Sequence, residues 1–355
     1  MKTNFLKNAF IACMSLVICT IGLSSCNEDD NTEAADTTEL VALIDSCQTI
    51  ADDATTTDYP EAAITTFKST LSTAASAILK SSISQTAVDN LIVQLREAKT
   101  TFLAAAYGAI PSKALVMGLS FDEGTGSQLT TDGKGWTAVL TKGPSEIFGT
   151  ATNLPSFTTG KVGKAMYFSN GAHLEISDYT ANDLLSNQLS IAVWVKPDST
   201  RSGNYIISYN YWNTWKFQLQ SANKPFFTVN TSNACIDADN QQDLSAPNKL
   251  WTHLVVTIDV TTGKLTFYVN GTSTMVWTND TKPGLAGTLK SYSSTLPLMI
   301  GASTTYAEAV SAWTWEWAKT PANWDNFIGA MDELKLYNIA LTDGQVAKLY
   351  KDENK

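Results

Sequence analysis

The stretch KLWTHLVVTIDVTTGKLTFYVNG, Lys249–Gly271, decides the fold of the larger part of the chain. Two runs within it, THLVVTIDV and KLTFYVNG, alternate apolar with polar side chains, which is the period of a half-buried β-strand. Thr262-Gly263 separates the two runs, and Asn270-Gly271 ends the second. Both pairs suit tight hairpin turns. The stretch therefore predicts two antiparallel strands joined by a hairpin, with another hairpin after them.

The same period continues on both sides of this hairpin, over residues 113–352. Valine, isoleucine and aromatic residues dominate, and glycines and turn dipeptides interrupt the runs. Many short strands broken by turns indicate an antiparallel sandwich of two sheets. The predicted strands are ALVMGLSF, KAMYF, HLEIS, LSIAVWVKP, NYIISY, WKFQLQ, FFTVN, THLVVTIDV, KLTFYVNG, PLMIG and DELKLYN.

Residues 37–107 have a different period, because their apolar side chains recur at three and four. Leu40, Leu43 and Ile44 begin the first of three such faces. Pro60 suits the first turn of a second helix, and Thr86-Ala87-Val88-Asp89 has the spacing of a capping box for a third. The pattern predicts an up-down-up three-helix bundle. It is similar to the three-helix spacer modules of extracellular bacterial proteins, which implies a stalk about 30 Å long.

The first 25 residues have the features of a secretory leader, with Lys2 and Lys7 followed by an apolar run. The end of this segment, Leu23-Ser24-Ser25-Cys26, resembles the lipobox of bacterial lipoproteins. That resemblance implies cleavage before Cys26 and acylation of its new amino terminus. Firm anchoring in a membrane would follow, since each buried methylene contributes about 0.8 kcal/mol.

Residues 26–36 contain five carboxylates and no basic residue, so the segment is expected to stay extended as an acidic tether. It resembles the signal that exports lipoproteins to the outer face of the outer membrane in glycan-degrading Gram-negative bacteria. A purely flexible tether is compatible with the same composition. We therefore expect a lipid-anchored protein of the outer membrane that faces outward from the cell surface.

Charge and cysteine content exclude several classes of protein. Loss of Lys2 and Lys7 with the leader leaves 22 basic residues against 34 acidic ones, a net charge of −12. Such a chain repels polyphosphates, so nucleic acid is not an expected partner. Besides Cys26, only Cys47 and Cys235 remain after cleavage, one in each region. No disulfide framework is expected, and the cores must supply the stability.

Seven blocks of the second region carry a resemblance to a known fold family, the concanavalin A-like, laminin-G-like jelly rolls of bacterial extracellular proteins. The resemblance implies a multidomain chain, with the N-terminal three-helix bundle followed by an all-β antiparallel jelly-roll sandwich. The blocks are LSFDEGTG (119–126), Asp132-Gly133, GKAMYFSNGAHLEI (163–176), LSIAVWVKP (189–197), the hairpin 249–271, PLMIG (297–301) and GAMDELKLYNIALTDGQVAKLY (329–350).

This fold hosts lectins, adhesion modules and glycan-cleaving enzymes, so the fold alone does not assign a function. Glucanases on it present Glu-x-Asp-x-x-Glu on one strand, and the sequence contains no such string. It also lacks HExxH, GxSxG, CxxC and a phosphate-binding glycine loop. The family pattern makes His253 structural. The sequence therefore favours a non-catalytic protein, although a site made of scattered residues stays open.

The same resemblance implies a structural calcium ion where the first and last strands run side by side. Asp122 and Asp332 occupy the matching positions. Two carboxylates are too few for calcium, which takes six to eight oxygen ligands. The alternative is that the two side chains cap turns or pair with lysines. No other cofactor is expected.

The stretch SAWTWEWAKTPANWDNF, Ser311–Phe327, is an insertion between the last two family blocks and holds four tryptophans. Trp313, Trp315 and Trp317 follow period two, so an extended chain would point three indoles one way at intervals of about 6.6 Å. A second aromatic group lies in SYNYWNTW (208–215), whereas Trp194 and Trp251 lie in family blocks and are predicted to be core. The candidate ligand-binding residues are Trp313, Trp315, Trp317, Trp324, Tyr209, Trp212 and Trp215.

An aromatic ladder suits the flat apolar faces of successive sugar rings, and Glu316, Asn323, Asp325 and Asn326 are available to receive hydroxyl groups. The insertion could instead fold back as a satellite core, form a helix that brings Trp313 and Trp317 together, or contact another protein. The favoured hypothesis is a surface lipoprotein that captures polysaccharide or host glycan for a partner transporter or hydrolase. The alternatives are a hydrolase or lyase on the same fold and an adhesion module for host or matrix protein.

Overall fold

The computed structural model describes residues 34–80, 82–292 and 296–355. The predicted leader 1–25, the lipidation site Cys26 and most of the tether 26–36 lie outside the described residues. Among the described residues, no helix combines the length and apolar character needed to cross a membrane.

Three helices form the predicted N-terminal bundle: α1 (Thr38–Asp53), α2 (Glu61–Ala77) and α3 (Gln85–Ala104). Their apolar faces meet in one core, in which Phe102 stacks on Tyr59 and on Phe67 with ring centroids 4.1 and 4.5 Å apart. Cys47 is a free thiol buried in this core. The predicted three-helix bundle is confirmed.

The predicted N-terminal cap of the third helix is wrong. Ser84, two residues before Thr86, has the extended backbone of a cap (φ −79°, ψ 153°) and accepts a hydrogen bond from the amide of Ala87. Thr86 already lies inside the helix. A serine that can leave the helical conformation satisfies an orphan amide two residues earlier, so the capping-box spacing at Thr86 has no part in the helix start.

The described residues after 113 are mainly β-strands and their connections, and all eleven predicted runs form strands. Six further strands, β2–β5, β12 and β15, are not among the predicted ones. The strands are β1 (Leu115–Leu119), β2 (Gln128–Thr130), β3 (Asp132–Gly133), β4 (Thr137–Thr141), β5 (Ser156–Thr159), β6 (Lys164–Phe168), β7 (His173–Ile176), β8 (Gln188–Pro197), β9 (Asn204–Tyr209), β10 (Trp215–Gln220), β11 (Lys224–Asn230), β12 (Cys235–Asp239), β13 (Thr252–Asp259), β14 (Lys264–Val269), β15 (Thr272–Thr278), β16 (Leu298–Ile300) and β17 (Gly329–Tyr337).

These strands form two antiparallel sheets. The first has the order β15-β14-β13-β8-β17-β1-β3, with β6 beside the first half of β17 and β5 outside β6. The second has the order β12-β11-β10-β9-β16-β7-β4-β2. Their inward side chains, among them Val193, Phe217, Phe227 and Phe267, share one core between the sheets. The predicted jelly-roll sandwich is confirmed.

The stretch 249–271 folds as predicted. Strands β13 and β14 pair with Val256 opposite Phe267, and Gly263 takes the left-handed conformation in the turn between them (φ 67°). Asn270 and Gly271 both have positive φ, 50° and 78°, and join β14 to β15. Asparagine and glycine tolerate this conformation better than other residues, which is why the pair makes a two-residue hairpin turn.

Four further helices lie within the β region. Three are short and belong to connections: α4 (Ser145–Phe148), α5 (Ala181–Leu184) and α6 (Tyr306–Ala312). The last, α7 (Asp343–Glu353), has Val346 in a small core with Val255, Tyr268 and Tyr337 on the outer face of the first sheet.

Helix α7 also contacts the bundle and the linker behind it. Lys351 Nζ donates to the carbonyl of Thr56 in the α1–α2 loop (2.8 Å), and Gln345 Nε2 donates to the carbonyl of Ala109 (3.1 Å). The C-terminal helix therefore lies against both regions of the chain.

His253, predicted to be structural, lies in β13 under α7 with 1% of its surface exposed. It packs between the rings of Trp194 (5.2 Å) and Tyr350 (5.9 Å), and neither ring nitrogen has a hydrogen-bond partner. Burial, reinforced by the Lys335 ammonium, lowers the pKa of His253 to about 3. A Glu353 carboxylate oxygen lies 3.8 Å from His253 Nε2, but it does not offset the lowering of the pKa. The folded protein therefore keeps this imidazole neutral.

This burial predicts a specific loss of stability in acid. The pKa of His253 is about 3 in the folded protein and near 6.5 in the unfolded chain. Between these two values the unfolded chain binds one more proton than the folded protein, so the free energy of unfolding decreases as the pH is lowered. Carboxyls with raised pKa values, such as Asp325 and Asp332, act in the opposite direction in this window. Comparison with His253→Phe isolates the imidazole.

Between pH 7 and pH 4.5 we expect wild type to lose about 2.5 kcal/mol more free energy of unfolding than His253→Phe. Tryptophan fluorescence in urea measures it, because all ten tryptophans lie after residue 113 and report on the sandwich. Equal losses in the two proteins would show that His253 protonates in the folded state.

Candidate functional site

The insertion between β16 and β17 does not form the predicted extended ladder. It begins with α6, ends that helix at Trp313, runs extended to Trp315 and turns into a 3₁₀ helix over Glu316–Lys319. The insertion is therefore not the extended chain in which all three indoles would face one way. Thr305 caps α6 and accepts a hydrogen bond from the amide of Glu308, which fixes where the helix starts.

The turn separates the tryptophans into two groups. Trp313 is half-buried, with its ring 5.2 Å from the ring of Trp324. Trp315 and Trp317 stack on each other, with ring centroids 6.1 Å apart and planes inclined by 20°. They stay open to solvent, with 65% and 61% of their surface exposed. Two indoles are therefore held side by side at the surface.

The second aromatic group of the sequence reaches the same place through Trp212. This residue lies in a 3₁₀ turn, Tyr211–Asn213, between β9 and β10, and is 44% exposed. Together the insertion and the turn enclose a space of about 430 Å³, which we call the tryptophan cleft. Its lining comprises Ser202, Tyr211, Trp212, Ala312, Trp313, Thr314, Trp315, Trp317, Ala318, Asn323 and Asp325.

Three of the seven candidate residues do not reach this surface. Tyr209, Trp215 and Trp324 are 2%, 0% and 2% exposed. Trp215 points inward from β10 and donates its indole N–H to the carbonyl of Leu184 (3.0 Å), with Tyr209 beside it. The prediction that these three rings bind ligand is wrong, because none has a face open to solvent. Trp324 instead supports Trp313 from behind.

The two tryptophans predicted to be core also differ. Trp194 is buried, and its indole N–H donates to Glu353 Oε2 (2.8 Å). Trp251 is only half-buried and has Lys196 Nζ 5.9 Å from its ring centroid, so its assignment to the core is wrong. It lies just before β13, where the alternation of the strand no longer decides which side faces inward.

Arg201 holds the second half of the insertion in place. Its guanidinium donates to the carbonyl oxygens of Ala322 (3.1 Å), Trp324 (3.0 Å) and Asn326 (3.0 Å), and also to the side-chain oxygen of Asn326 (3.3 Å). A guanidinium presents five donors spread over a rigid plane, whereas an ammonium group concentrates its three donors on one nitrogen. This single side chain therefore shapes the wall that carries Asn323 and Asp325.

A buried charge cluster lies below the cleft. Lys216 points away from the sandwich core on β10 and is fully buried, with its ammonium 3.8 Å from the ring centre of Trp212 and about 5 Å from those of Tyr205 and Phe226. Burial lowers its pKa to about 8, against the opposing effect of Asp237 and Asp325. The inner face of Trp212 thus covers a cation while its outer face lines the cleft.

Asp325 is the one carboxylate among the residues that line the cleft. Burial raises its pKa to about 6, although Lys216, a hydrogen bond from Tyr205 and Arg201 all favour the charged form. Gly203 lies directly against it: a Cβ there would come within 2.5 Å of Asp325 Oδ1. The close approach of the two segments therefore requires a glycine at this position.

Only two of the four polar residues expected to bind sugar hydroxyl groups line the cleft. Asn323 and Asp325 line the cleft. Glu316 points to solvent and pairs with Lys319 (2.9 Å), and Asn326 is buried in the contact with Arg201. Sequence reasoning missed Arg201 and Lys216 altogether, because it gave no sign that the insertion covers this part of the second sheet.

Asp122 and Asp332, the residues predicted to bind calcium, both hold the turn between β5 and β6. Asp332 is fully buried and accepts hydrogen bonds from the amides of Lys161 (2.8 Å), Val162 (2.9 Å) and Glu333 (2.8 Å). Asp122 Oδ1 accepts from the amide of Lys164 (2.7 Å). Burial raises the pKa of Asp332 to about 7.

This arrangement does not fit a calcium site. No group of three or more His, Cys, Asp or Glu side chains suited to a metal ion occurs within 34–80, 82–292 and 296–355. Calcium takes six to eight oxygens, whereas three of the four oxygens of this pair already accept backbone amides. We expect EDTA to change the unfolding temperature by less than about 1 °C in a calorimetric scan. A drop of several degrees that calcium reverses would instead establish the ion.

Comparison with known proteins agrees with the topology. The family model of the concanavalin A-like lectin/glucanases superfamily, Laminin_G_3, matches residues 168–347, half of the chain. No curated protein matches significantly.

Three similar solved structures each cover 68% of this chain. Domain 4 of AbnA, a GH43 extracellular arabinanase from Geobacillus stearothermophilus, in complex with arabinotriose, is 19% identical with a TM-score of 0.46. The binding domain of Paraclostridial Mosquitocidal Protein 1 is 15% identical (0.47), and that of botulinum neurotoxin DC in complex with rat synaptotagmin II is 14% identical (0.44). The chain spans all of the arabinanase domain and 52% of each toxin structure. By its family model, the chain belongs to the concanavalin A-like lectin/glucanase superfamily.

Proposed function

We propose that this protein binds polysaccharide through the tryptophan cleft. The observation that carries the proposal is the stacked pair Trp315 and Trp317, more than half exposed at the mouth of a space of about 430 Å³. Large apolar groups exposed together on a folded protein commonly mark a binding surface. Flat indole faces with hydroxyl and amide groups beside them match the alternating apolar and polar surfaces of a sugar ring.

The strength of such binding follows from the number of rings. Base–aromatic stacking contributes about 1–3 kcal/mol per ring in nucleic-acid complexes, and we take the same order for sugar stacking. Two or three indoles, less the cost of ordering the ligand, correspond to dissociation constants of roughly micromolar to millimolar. Many copies on one surface would increase the retention of a long polymer by avidity.

The proposed role is non-catalytic. Most glycoside hydrolases use two carboxyl groups on either side of the scissile bond, about 5–9.5 Å apart. Asp325 is the single carboxylate among the lining residues, and Glu308 nearby is engaged by the hydroxyl of Tyr211 (2.9 Å). A pKa of about 6 would suit Asp325 to general acid chemistry, and this observation keeps glycan cleavage as the second candidate.

We further propose that Cys26 anchors the protein in the outer membrane, facing outward, and that the helical bundle serves as a spacer for the sandwich. A captured glycan would then pass to a neighbouring transporter or hydrolase. The lipobox and the acidic tether of the sequence support the location, and the bundle core, separate from that of the sandwich, supports the spacer.

Affinity electrophoresis tests the proposal. The purified protein is run in gels that contain polysaccharides of different composition, and each mixture is also assayed for new reducing ends. We expect retardation by at least one polysaccharide without release of product. Product release that Asp325→Asn abolishes would favour the hydrolase. If no polysaccharide retards the protein, and it binds host or matrix proteins in a way that added sugars do not inhibit, the adhesion module would be favoured.

A further inference from the structure

The charges around the tryptophan cleft define a class of glycan. Among its described lining residues there is no lysine, arginine or histidine. The hydrogen-bonding side chains are the four tryptophans, through their indole N–H groups, and Ser202, Tyr211, Thr314, Asn323 and Asp325. Proteins that bind uronates, sulfates or phosphates hold the anion with charge-assisted hydrogen bonds from basic side chains. The cleft offers no such donor to an acidic sugar.

The basic residues nearest to the cleft are engaged elsewhere. Arg201 directs its donors to the oxygens of residues 322, 324 and 326. Lys216 is enclosed by three aromatic rings and donates to Gln218 Oε1. Lys319 pairs with Glu316 (2.9 Å) and has only 12% of its side chain exposed. To bind an anion, Arg201 and Lys216 would have to leave partners inside the fold, and Lys319 would have to leave Glu316.

A cationic ligand is disfavoured by a separate feature. Aromatic rings and a carboxylate can together bind an ammonium group. Here, however, the Asp325 carboxylate already interacts with Lys216, Arg201 and Tyr205, all within the protein. Its charge is compensated before a ligand arrives. The other polar side chains that line the cleft are neutral. The exposed carboxylate of Glu316, between the two indoles in sequence, is paired with Lys319.

We infer that the tryptophan cleft selects uncharged polysaccharides and discriminates against both acidic polymers and cationic polymers of unacetylated amino sugars. The inference rests on the proposed function and narrows its ligand. Stacking on the indoles contributes affinity for any sugar ring, whereas the lack of free charge rejects ionic polymers by leaving their charges unpaired and desolvated.

The inference can be tested by adding a positive charge to the lining of the cleft. Thr314 lines the cleft and is exposed, so Thr314→Lys places an ammonium group among the indoles without disturbing a core. Ser202→Lys does the same from the connection between β8 and β9 and serves as a second variant. Thr86→Lys, on the exposed face of α3, adds the same charge far from the cleft and is the matched control.

Each protein is run at low salt in gels containing neutral polymers (arabinan, galactan, xylan, mannan), anionic polymers (polygalacturonate, chondroitin sulfate) or chitosan. We expect wild type and Thr86→Lys to be retarded by a neutral polymer only. Thr314→Lys or Ser202→Lys should gain roughly tenfold affinity for an anionic polymer, and 0.5 M NaCl should remove that gain.

Wild-type retardation by an anionic polymer or by chitosan overturns this inference and leaves glycan binding standing. If no polymer retards wild type, the proposed function fails together with it. If neither lysine variant gains affinity while wild type binds a neutral polymer, charge is not what selects the ligand, and the inference is overturned.

Discussion

Replacing Trp315 and Trp317 together with alanine is expected to weaken polysaccharide binding at least 30-fold, roughly the loss for about 2 kcal/mol. Each indole stacked on a sugar contributes about 1–3 kcal/mol, so the pair reaches this value even at the lower end. Both rings are more than half exposed and pack mainly on each other. We therefore expect the unfolding temperature to change by less than about 2 °C. Affinity electrophoresis and calorimetry measure the two effects.

The matched control removes exposed apolar side chains elsewhere. Leu79 and Leu250 are 75% and 60% exposed and lie outside the cleft lining, so Leu79→Ala with Leu250→Ala should bind as wild type does. If the tryptophan variant is retained as strongly as wild type, the cleft is not the binding site. A fall of many degrees in its unfolding temperature would show that the two indoles support the fold.

Arg201→Ala is expected to have the second large effect, on stability and binding together. Four hydrogen bonds from a charged donor are lost, and the carbonyls of Ala322, Trp324 and Asn326 lose a partner. Hydrogen bonds to charged groups contribute about 1.5–3 kcal/mol each, and part of this is recovered by water, so we expect a loss of about 3 kcal/mol. Binding should fall at least tenfold, because Asn323 and Asp325 lie on the released segment.

The only other arginine of the chain provides the control. Arg96 forms an exposed pair with Glu39 in the bundle, so Arg96→Ala should change neither binding nor the fluorescence-detected stability by more than about 0.5 kcal/mol. Arg201→Lys keeps the charge but cannot reach three carbonyls, and it should fall between wild type and Arg201→Ala. If Arg201→Ala has the same free energy of unfolding and the same affinity for polysaccharide as wild type, the guanidinium does not organise the wall of the cleft.

The sandwich could be predicted from the sequence because its signals are local. The alternation of β13 and β14 and the Asn270-Gly271 turn depend on a few neighbouring residues, and the structure confirms both. The helix period of the bundle is local in the same way. The cap at Ser84 shows the limit, since two residues of similar capping ability lay within one turn and only backbone geometry decides between them.

Exposure of the insertion could not be predicted from the same kind of signal. Period two at Trp313, Trp315 and Trp317 is a property of an extended chain, but the end of α6 and the following 3₁₀ turn replace that conformation. Which indoles remain open then depends on Trp324, which fills the space behind Trp313. Packing between distant segments decides this, and no spacing within the insertion encodes it.

The roles of the charged residues below the cleft could not be predicted from the sequence for a related reason. Lys216 lies on the outward face of β10, where a lysine normally meets water. It is buried only because the turn carrying Trp212 covers it and the insertion brings Asp325 near. Arg201 likewise acts on residues more than a hundred positions later. Such roles follow from the tertiary structure alone.

The most direct test of the account is oxidative footprinting of the tryptophans, read by mass spectrometry, with and without a neutral oligosaccharide that retards the protein. In the free protein we expect Trp315 and Trp317 to oxidise fastest, since they are the most exposed indoles described. Bound ligand should slow both severalfold and leave exposed side chains outside the cleft unchanged. Full binding with unaltered oxidation of these two residues would contradict the claim that their rings hold the sugar.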